Sequence, residues 1–308
     1  MVAINVPDKL ISEEIEKYMC IVYRIVGICL GIPNDTFSWY YYDDHNQCFL
    51  YKNITPLKFY EILVKPTFDV DDKVSLICDP RPKNKFGKLY TVDMSGNVKE
   101  GSKMLCNNQP IEVLLEACKL SISELQEPVW YSCEVEKNFS SKLGSEDLQL
   151  HDIKLLFGTD ISIPMTKSER ILYRDSAATH AMVLTGVHIE ENGEVTRWSV
   201  ENSWGINANH NGHITMTTEW FKEYVFEVIV DKRILPRYVL DVFNLEPIVL
   251  PIWDQYFGSI SFSTLTKKIE IKTPNKGPGI HEKYNSGSVE KAMFPWFRAS
   301  EETVSIIE

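Results

Sequence analysis

Two short segments carry residue types that could act together on one bond. His180 stands in Thr179-His180-Ala181-Met182, at the entry to the apolar run 181–189. Asn202 stands in Val200-Glu201-Asn202-Ser203-Trp204-Gly205, at the exit of the run 195–200. Between the runs lies Glu191-Asn192-Gly193, and Asn-Gly is the usual hairpin signal. The turn makes the two runs antiparallel neighbours. The start of one then lies beside the end of the other, and His180 can meet Asn202.

The chemistry of such a pair is that of a base with its orienter. An amide oxygen accepting from one imidazole nitrogen fixes the tautomer and aims the other nitrogen at a nucleophile. Trp204 can cover that hydrogen bond and keep water from it. A cysteine beside such a histidine is drawn toward thiolate. From residue types alone a plainer arrangement stays open, a strand-edge histidine and a turn asparagine with no shared task.

The elements that must position these residues follow from periodicity. Ile11, Ile15, Met19, Val22, Ile25 and Cys29 recur at helical spacing, which predicts a helix from about Leu10 to Leu30. Ser12-Glu13-Glu14 suits its start, and Gly31 and Pro33 its stop. Residues 37–51 predict a strand pair turning at 43–46, its consecutive aromatics Trp39 to Tyr42 serving core or interface packing. Thr55-Pro56 opens a second helix and Asn108-Gln-Pro110 a third, to about Leu120. Strands are predicted over 74–78, 129–135, 213–216 and 226–230, with a short helix over 218–224. Asp79 to Lys88 carries Arg81, Lys83, Lys85 and Lys88 and reads as a solvated loop, the one local basic run of this half. The texture changes near residue 263, which predicts a main portion over 1–262 and a disordered tail over 263–308.

Composition narrows the classes. Over 308 residues, 44% hydrophobic and 24% charged content describes a globular chain with a sizeable core. A net charge of -11 weighs against a nucleic-acid partner, which favours a basic surface. The sequence has no run of the roughly 20 apolar residues a membrane span needs, which predicts no membrane partner. Met1 to Asp8 lacks the form of a secretory signal, and the seven cysteines (20, 29, 48, 78, 106, 118 and 133) form no CxxC pair. Reduced thiols in a cytoplasmic protein, with neither disulfide framework nor metal site, are the expectation.

The runs His180-Ala-Met-Val-Leu-Thr-Gly and Arg197-Trp-Ser-Val-Glu-Asn202-Ser-Trp-Gly resemble the histidine and asparagine halves of a papain-like cysteine peptidase. The surroundings narrow the resemblance to the bleomycin hydrolase, or aminopeptidase C, family. Pro128-Val-Trp-Tyr, Phe139-Ser-Ser-Lys-Leu-Gly, Met216-Thr-Thr-Glu-Trp-Phe and Glu246-Pro-Ile-Val-Leu-Pro-Ile-Trp-Asp254 are similar to that family. So are Ile54-Thr-Pro-Leu, Asp79-Pro-Arg-Pro, Lys88-Leu-Tyr-Thr-Val and Asn107-Asn-Gln-Pro. The resemblance spans roughly residues 10–258.

It implies an α+β, papain-like fold, with this chain holding mainly the strand-rich half plus helical insertions. It implies a cysteine aminopeptidase acting on peptide substrates without cofactor or metal, assembled as a homohexameric ring. His180 would be the base, Asn202 its orienter and Trp204 their cover. The family's nucleophile sits in an upstream half, in a Gln…Cys-Trp pattern, and none of the seven cysteines here matches it. The fold is then incomplete without that half, and the isolated chain is expected to be inactive and to expose apolar surface. In this family the chain stops soon after Leu-Pro-x-Trp-Asp, and its terminal carboxylate grips the substrate's amino group. Residues 255–308 follow Asp254 here and put that specificity in doubt. The alternative is a catalytically inactive homologue that serves as an assembly or peptide-binding subunit.

Overall fold

The computed structural model describes residues 7–95, 101–159, 165–205 and 211–257. The tail expected over 263–308 lies outside them. The described chain forms two compact units, one holding residues 7–69 and one holding residues 70–257.

In the first unit, helix α1 runs from Asp8 to Leu30. It starts four residues before Ser12, directly after the extended backbone of Pro7, with Asp8 supplying favourable charge to its first turn. Gly31 ends it at φ 82°, donating its N–H to Gly27 O. No residue of α1 is buried. Its apolar stripe, including Ile15, Met19, Val22 and Ile25, is exposed, and so are Cys29, which shares that spacing, and Cys20. Strands β1 (Phe37–Tyr42) and β2 (Cys48–Ile54) pair antiparallel around the 43–47 turn, which Asp43 closes by accepting from His45 N–H and Gln47 N–H. Tyr41 stacks on Phe49 and Tyr51, but Trp39 to Tyr42 remain exposed rather than in a core. Helix α2 (Pro56–Phe59) is capped by Thr55 Oγ1, which accepts from Lys58 N–H, and continues as a π-type turn to Val64.

The second unit is built on one mixed sheet. Its strands are β3 (Lys73–Ile77), β4 (Lys88–Val92), β5 (Cys106–Asn108), β6 (Val129–Cys133), β7 (Phe139–Ser140), β8 (Ser145–Glu146), β9 (His180–Ile189), β10 (Val195–Glu201), β11 (His213–Thr217), β12 (Val225–Asp231) and β13 (Ile248–Leu250). Their spatial order is β13-β4-β5-β3-β12-β6-β9-β10-β11-β8-β7. Helix α3 (Ile111–Ser123) buries Leu114, Ala117 and Cys118. Short helices α4 (Ile153–Phe157), α5 (Lys167–Leu172), α6 (Thr218–Tyr224) and α7 (Arg237–Leu240) complete the unit. The core joins α3 to the inner residues of β6, β9, β10, β11 and β12, among them Tyr131, Leu184, Trp198, Met216 and Val228. The two buried indoles satisfy their N–H groups, Trp198 on Thr218 Oγ1 and Trp220 on Lys137 O.

The 79–88 segment departs most from its sequence reading. It is a loop whose Lys83, Lys85 and Lys88 are exposed as expected, but it is anchored by a buried cage around Arg81. Arg81 is 1% exposed and donates to Asp79, to Asp254 Oδ1 (2.6 Å) and to Gln255 Oε1 (2.8 Å). Lys83 also reaches Asp254, and Asn84 reaches Asp79. Burial opposes ionisation of Asp254, yet hydrogen bonds from Arg81 and Lys83 outweigh it and hold the carboxyl below its usual range. A buried ion pair of this kind contributes little net stability when intact, but losing one partner costs about 3–5 kcal/mol. The cage therefore fixes the path of the chain at Asp254. With Arg81 and Lys83 so engaged, two of the four basic residues of this run are spent on carboxylates.

Glu146 sits fully buried on β8, with neither carboxylate oxygen partnered among the described residues. Burial pushes its carboxyl well above the usual range. The folded state thus holds a proton that the unfolded chain releases near pH 4. Stability falls as pH rises above that value, because only the unfolded state gains from ionisation. Glu146→Gln removes the penalty. Thermal melts are expected to show a gain of about 2–4 °C at pH 7 for each kcal/mol relieved, and little change at pH 4. An equal gain at both pH values would contradict this.

Candidate active site

The site stands where three strands meet. His180 is the first residue of β9, and its Cα is paired with that of Cys133 at the end of β6. On the other side β9 pairs with β10, Val183 lying opposite Glu201. Asn202 follows β10 directly and donates its backbone N–H to Gly212 O at 3.0 Å, just before β11. The hairpin therefore brings His180 and Asn202 together: His180 Nε2 lies 3.0 Å from Asn202 Oδ1.

The direction of this hydrogen bond follows from a second donor. Ser203 N–H also points at the Asn202 side chain, 2.7 Å from the same atom. An N–H requires an acceptor, so that atom is the amide oxygen. His180 Nε2 must then carry a proton, and in the neutral ring Nδ1 keeps its lone pair. Asn202 is 8% exposed, and its Nδ2 finds no partner among the described residues. The asparagine is thus held by its oxygen and by its backbone.

Trp204 stacks on His180. Its ring lies nearly parallel to the imidazole, at 5.4 Å and 25°. It is itself 46% exposed. Phe139, on β7, packs edge-on against it at 5.6 Å. A neutral imidazole stacks on the indole, and an imidazolium gains a cation–π attraction there. The backbone turn that delivers Trp204 needs Gly205, whose φ of 94° an L side chain rarely adopts. Phe139 had only a motif match to mark it in the sequence. Its contact joins segments far apart in the chain, and no local pattern signals it.

The cysteines lie elsewhere on the scale of reactivity. Cys133 is opposite His180 in the ladder, but it is fully buried, and burial pushes its thiol well up. Burial likewise raises Cys78, Cys106 and Cys118. Cys20, Cys29 and Cys48 belong to the first unit, where they are exposed or half-buried.

The sheet, its helices and the sequence around this hairpin define the class: the chain has the papain-like peptidase fold. The signature of the Peptidase C1-like family matches residues 1–256, and the chain belongs to that family. It is 46% identical over 246 residues to bleomycin hydrolase of Mus musculus, covering 79% of this chain and 54% of the relative. Aminopeptidase C of Listeria monocytogenes is 36% identical over 246 residues, with 80% and 54% covered. Among solved structures, PepW from Lactobacillus rhamnosis matches with a TM-score of 0.75 and 33% identity, over 82% of this chain and 56% of that one. The chain spans about half the length of the curated relatives it matches.

The site geometry makes a spectroscopic prediction. Nitrogen-15 shifts of neutral His180 should show the Nε2–H tautomer in excess. A hydrogen bond of about 0.5–1.5 kcal/mol sets the bias, so Asn202→Ala should reduce the tautomer ratio by about two- to tenfold. An unchanged ratio would mean that Asn202 does not orient the ring.

Proposed function

We propose that this chain supplies the base and the orienter of a Cys-His-Asn site in a cysteine aminopeptidase of the bleomycin hydrolase type. The observation that carries the reading is the His180–Asn202 hydrogen bond, with Nε2–H given to the amide and Nδ1 left free. In this reading Nδ1 takes the proton of a thiol, and the thiolate attacks the carbonyl carbon of a peptide bond. The imidazolium returns the proton to the leaving amine, leaving a thioester on the sulfur. Nδ1 then activates a water that releases the acid and restores the thiol. Asn202 keeps the ring in register through both proton transfers, and Trp204 shields the hydrogen bond that does so.

The nucleophile in this reading comes from polypeptide outside these 308 residues. The raised thiols of Cys78, Cys106, Cys118 and Cys133 support that assignment, because a buried neutral thiol is a poor nucleophile. Amino-terminal specificity belongs to the same reading, on the strength of relatives named aminopeptidases; a homohexameric ring in the cytoplasm belongs to it on the family resemblance alone. Among the described residues no helix is long and apolar enough to cross a membrane.

The test joins this chain to the part of mouse bleomycin hydrolase that it does not match. The fusion is expected to release amino-terminal residues from peptides. His180→Ala should lower kcat by about 10³-fold or more, as loss of a catalytic base does in related triads. A fusion that folds and binds peptides without cleaving them would favour the non-catalytic subunit. Full activity in His180→Ala would overturn the reading.

A further inference from the structure

The residues just upstream of His180 are held by a buried carboxylate that the chemistry above does not use. Glu134 is 6% exposed and lies one residue beyond the end of β6. Its Oε2 accepts from Ala177 N–H at 3.1 Å, and its Oε1 accepts from Thr179 Oγ1 at 3.1 Å. No cation pairs with it among the described residues. Its backbone is fixed as well, since Glu134 N–H donates to Tyr224 O at 3.0 Å. Thr179 N–H donates to Cys133 O at 2.9 Å, the residue before Glu134. Between the two anchored positions, Ala178 is buried in a cluster with Ile171, Phe226 and Tyr256. Every residue from 177 to 179 is thus tied down, and His180 comes next.

A carboxylate without a cation is an expensive way to fill a buried position. An apolar residue there would cost less, but would leave Ala177 N–H without an acceptor and Thr179 free to rotate. Asn202 holds the ring of His180 from one side and says nothing of where its Cα stands. The strand ladder sets the Cα from the Cys133 side, through the His180–Cys133 pair and the bond from Thr179 N–H to Cys133 O. Glu134 adds the Ala177 backbone and the Thr179 side chain to what is held just before it.

We propose that Glu134 is a positioning residue for His180: its two hydrogen bonds fix the 177–179 approach and so the place from which the imidazole reaches the thiol. The inference rests on the reading of His180 as the base. It assigns the work to hydrogen bonding rather than to charge. Gln at 134 can still accept from Ala177 N–H through its oxygen and offer its NH₂ to the Thr179 hydroxyl oxygen. Ala at 134 can do neither.

The test compares Glu134→Ala, Glu134→Gln, Thr179→Val and Thr179→Ser in the native, active protein. Displacing a reacting group by about 1 Å costs on the order of 10²-fold in rate. Glu134→Ala is therefore expected to lower kcat by about 10–100-fold with KM little changed, and Thr179→Val by a smaller factor. Glu134→Gln and Thr179→Ser should restore most of the loss, with the pH profile of kcat unmoved. Thr179→Val keeps the shape of the side chain, so it tests the pin even if Glu134→Ala fails to fold. A Glu134→Gln variant as slow as Glu134→Ala, or unchanged kcat in Glu134→Ala or Thr179→Val, would overturn the proposal. The His180 Nε2–H resonance supplies a readout that needs no turnover. It should move in Glu134→Ala and Thr179→Val but not in Glu134→Gln. If His180→Ala stays active, the peptidase reading fails, while this resonance still decides whether Glu134 places the ring.

Discussion

One hydrogen bond defines the candidate site of this protein: His180 Nε2 to Asn202 Oδ1, at 3.0 Å. It joins the entry of one strand to the exit of the next, so it depends on the hairpin register. It also depends on the Ser203 N–H, which decides which way the amide faces. A hydrogen bond in a partly dry setting is stronger than one in water; Asn202 is buried, and the indole of Trp204 stacks on the His180 ring. In the neutral imidazole one nitrogen is thereby committed and the other keeps its lone pair. The core beneath it is apolar and closely packed, which keeps the strands that carry the pair from sliding.

The charged groups of this unit do a different job. Arg81 ties Asp79 to Asp254 across most of the length of the chain, and Lys73 ties Glu127 to Asp231. Hydrogen bonds from Arg233 come first among the influences that hold the Asp231 carboxyl well below its usual range, with Lys73 adding to them. Such buried pairs return little net stability, but they penalise every arrangement that separates the partners. They fix where distant segments lie. The segment after β13 is held in this way: Asp254 sits in the Arg81 cage, and the Tyr256 hydroxyl donates to Phe226 O. Tyr256 shares its buried cluster with Ala178, so the anchored end of the described chain packs beside the approach to His180.

The site was legible in the sequence where it rests on short-range rules. Asn192-Gly193 announces a hairpin between two apolar-rich runs, and the Asn202-Ser-Trp-Gly element carries the indole that stacks on His180. The papain-like fold was legible through shared motifs. Other features were hidden for physical reasons. Arg81 reads as solvated because its neighbours are prolines and lysines, while one of its two carboxylate partners, Asp254, stands near residue 250. Strands β5 and β13 have three residues each, too short for a period to show. Cys29 follows the helical stripe that usually marks burial, yet no residue of α1 is buried. Glu134 and Phe139 act on residues far along the chain, and no local pattern carries that information.

The central claim is that His180 serves a thiol from outside these residues. Limited alkylation of the active native protein at a pH where only activated thiolates react, followed by mass mapping of the modified peptide, tests it most directly. The account predicts that the label falls on a cysteine other than the seven of this chain, and that His180→Ala slows its attachment. A label on one of the seven, appearing in step with loss of peptidase activity, would contradict it.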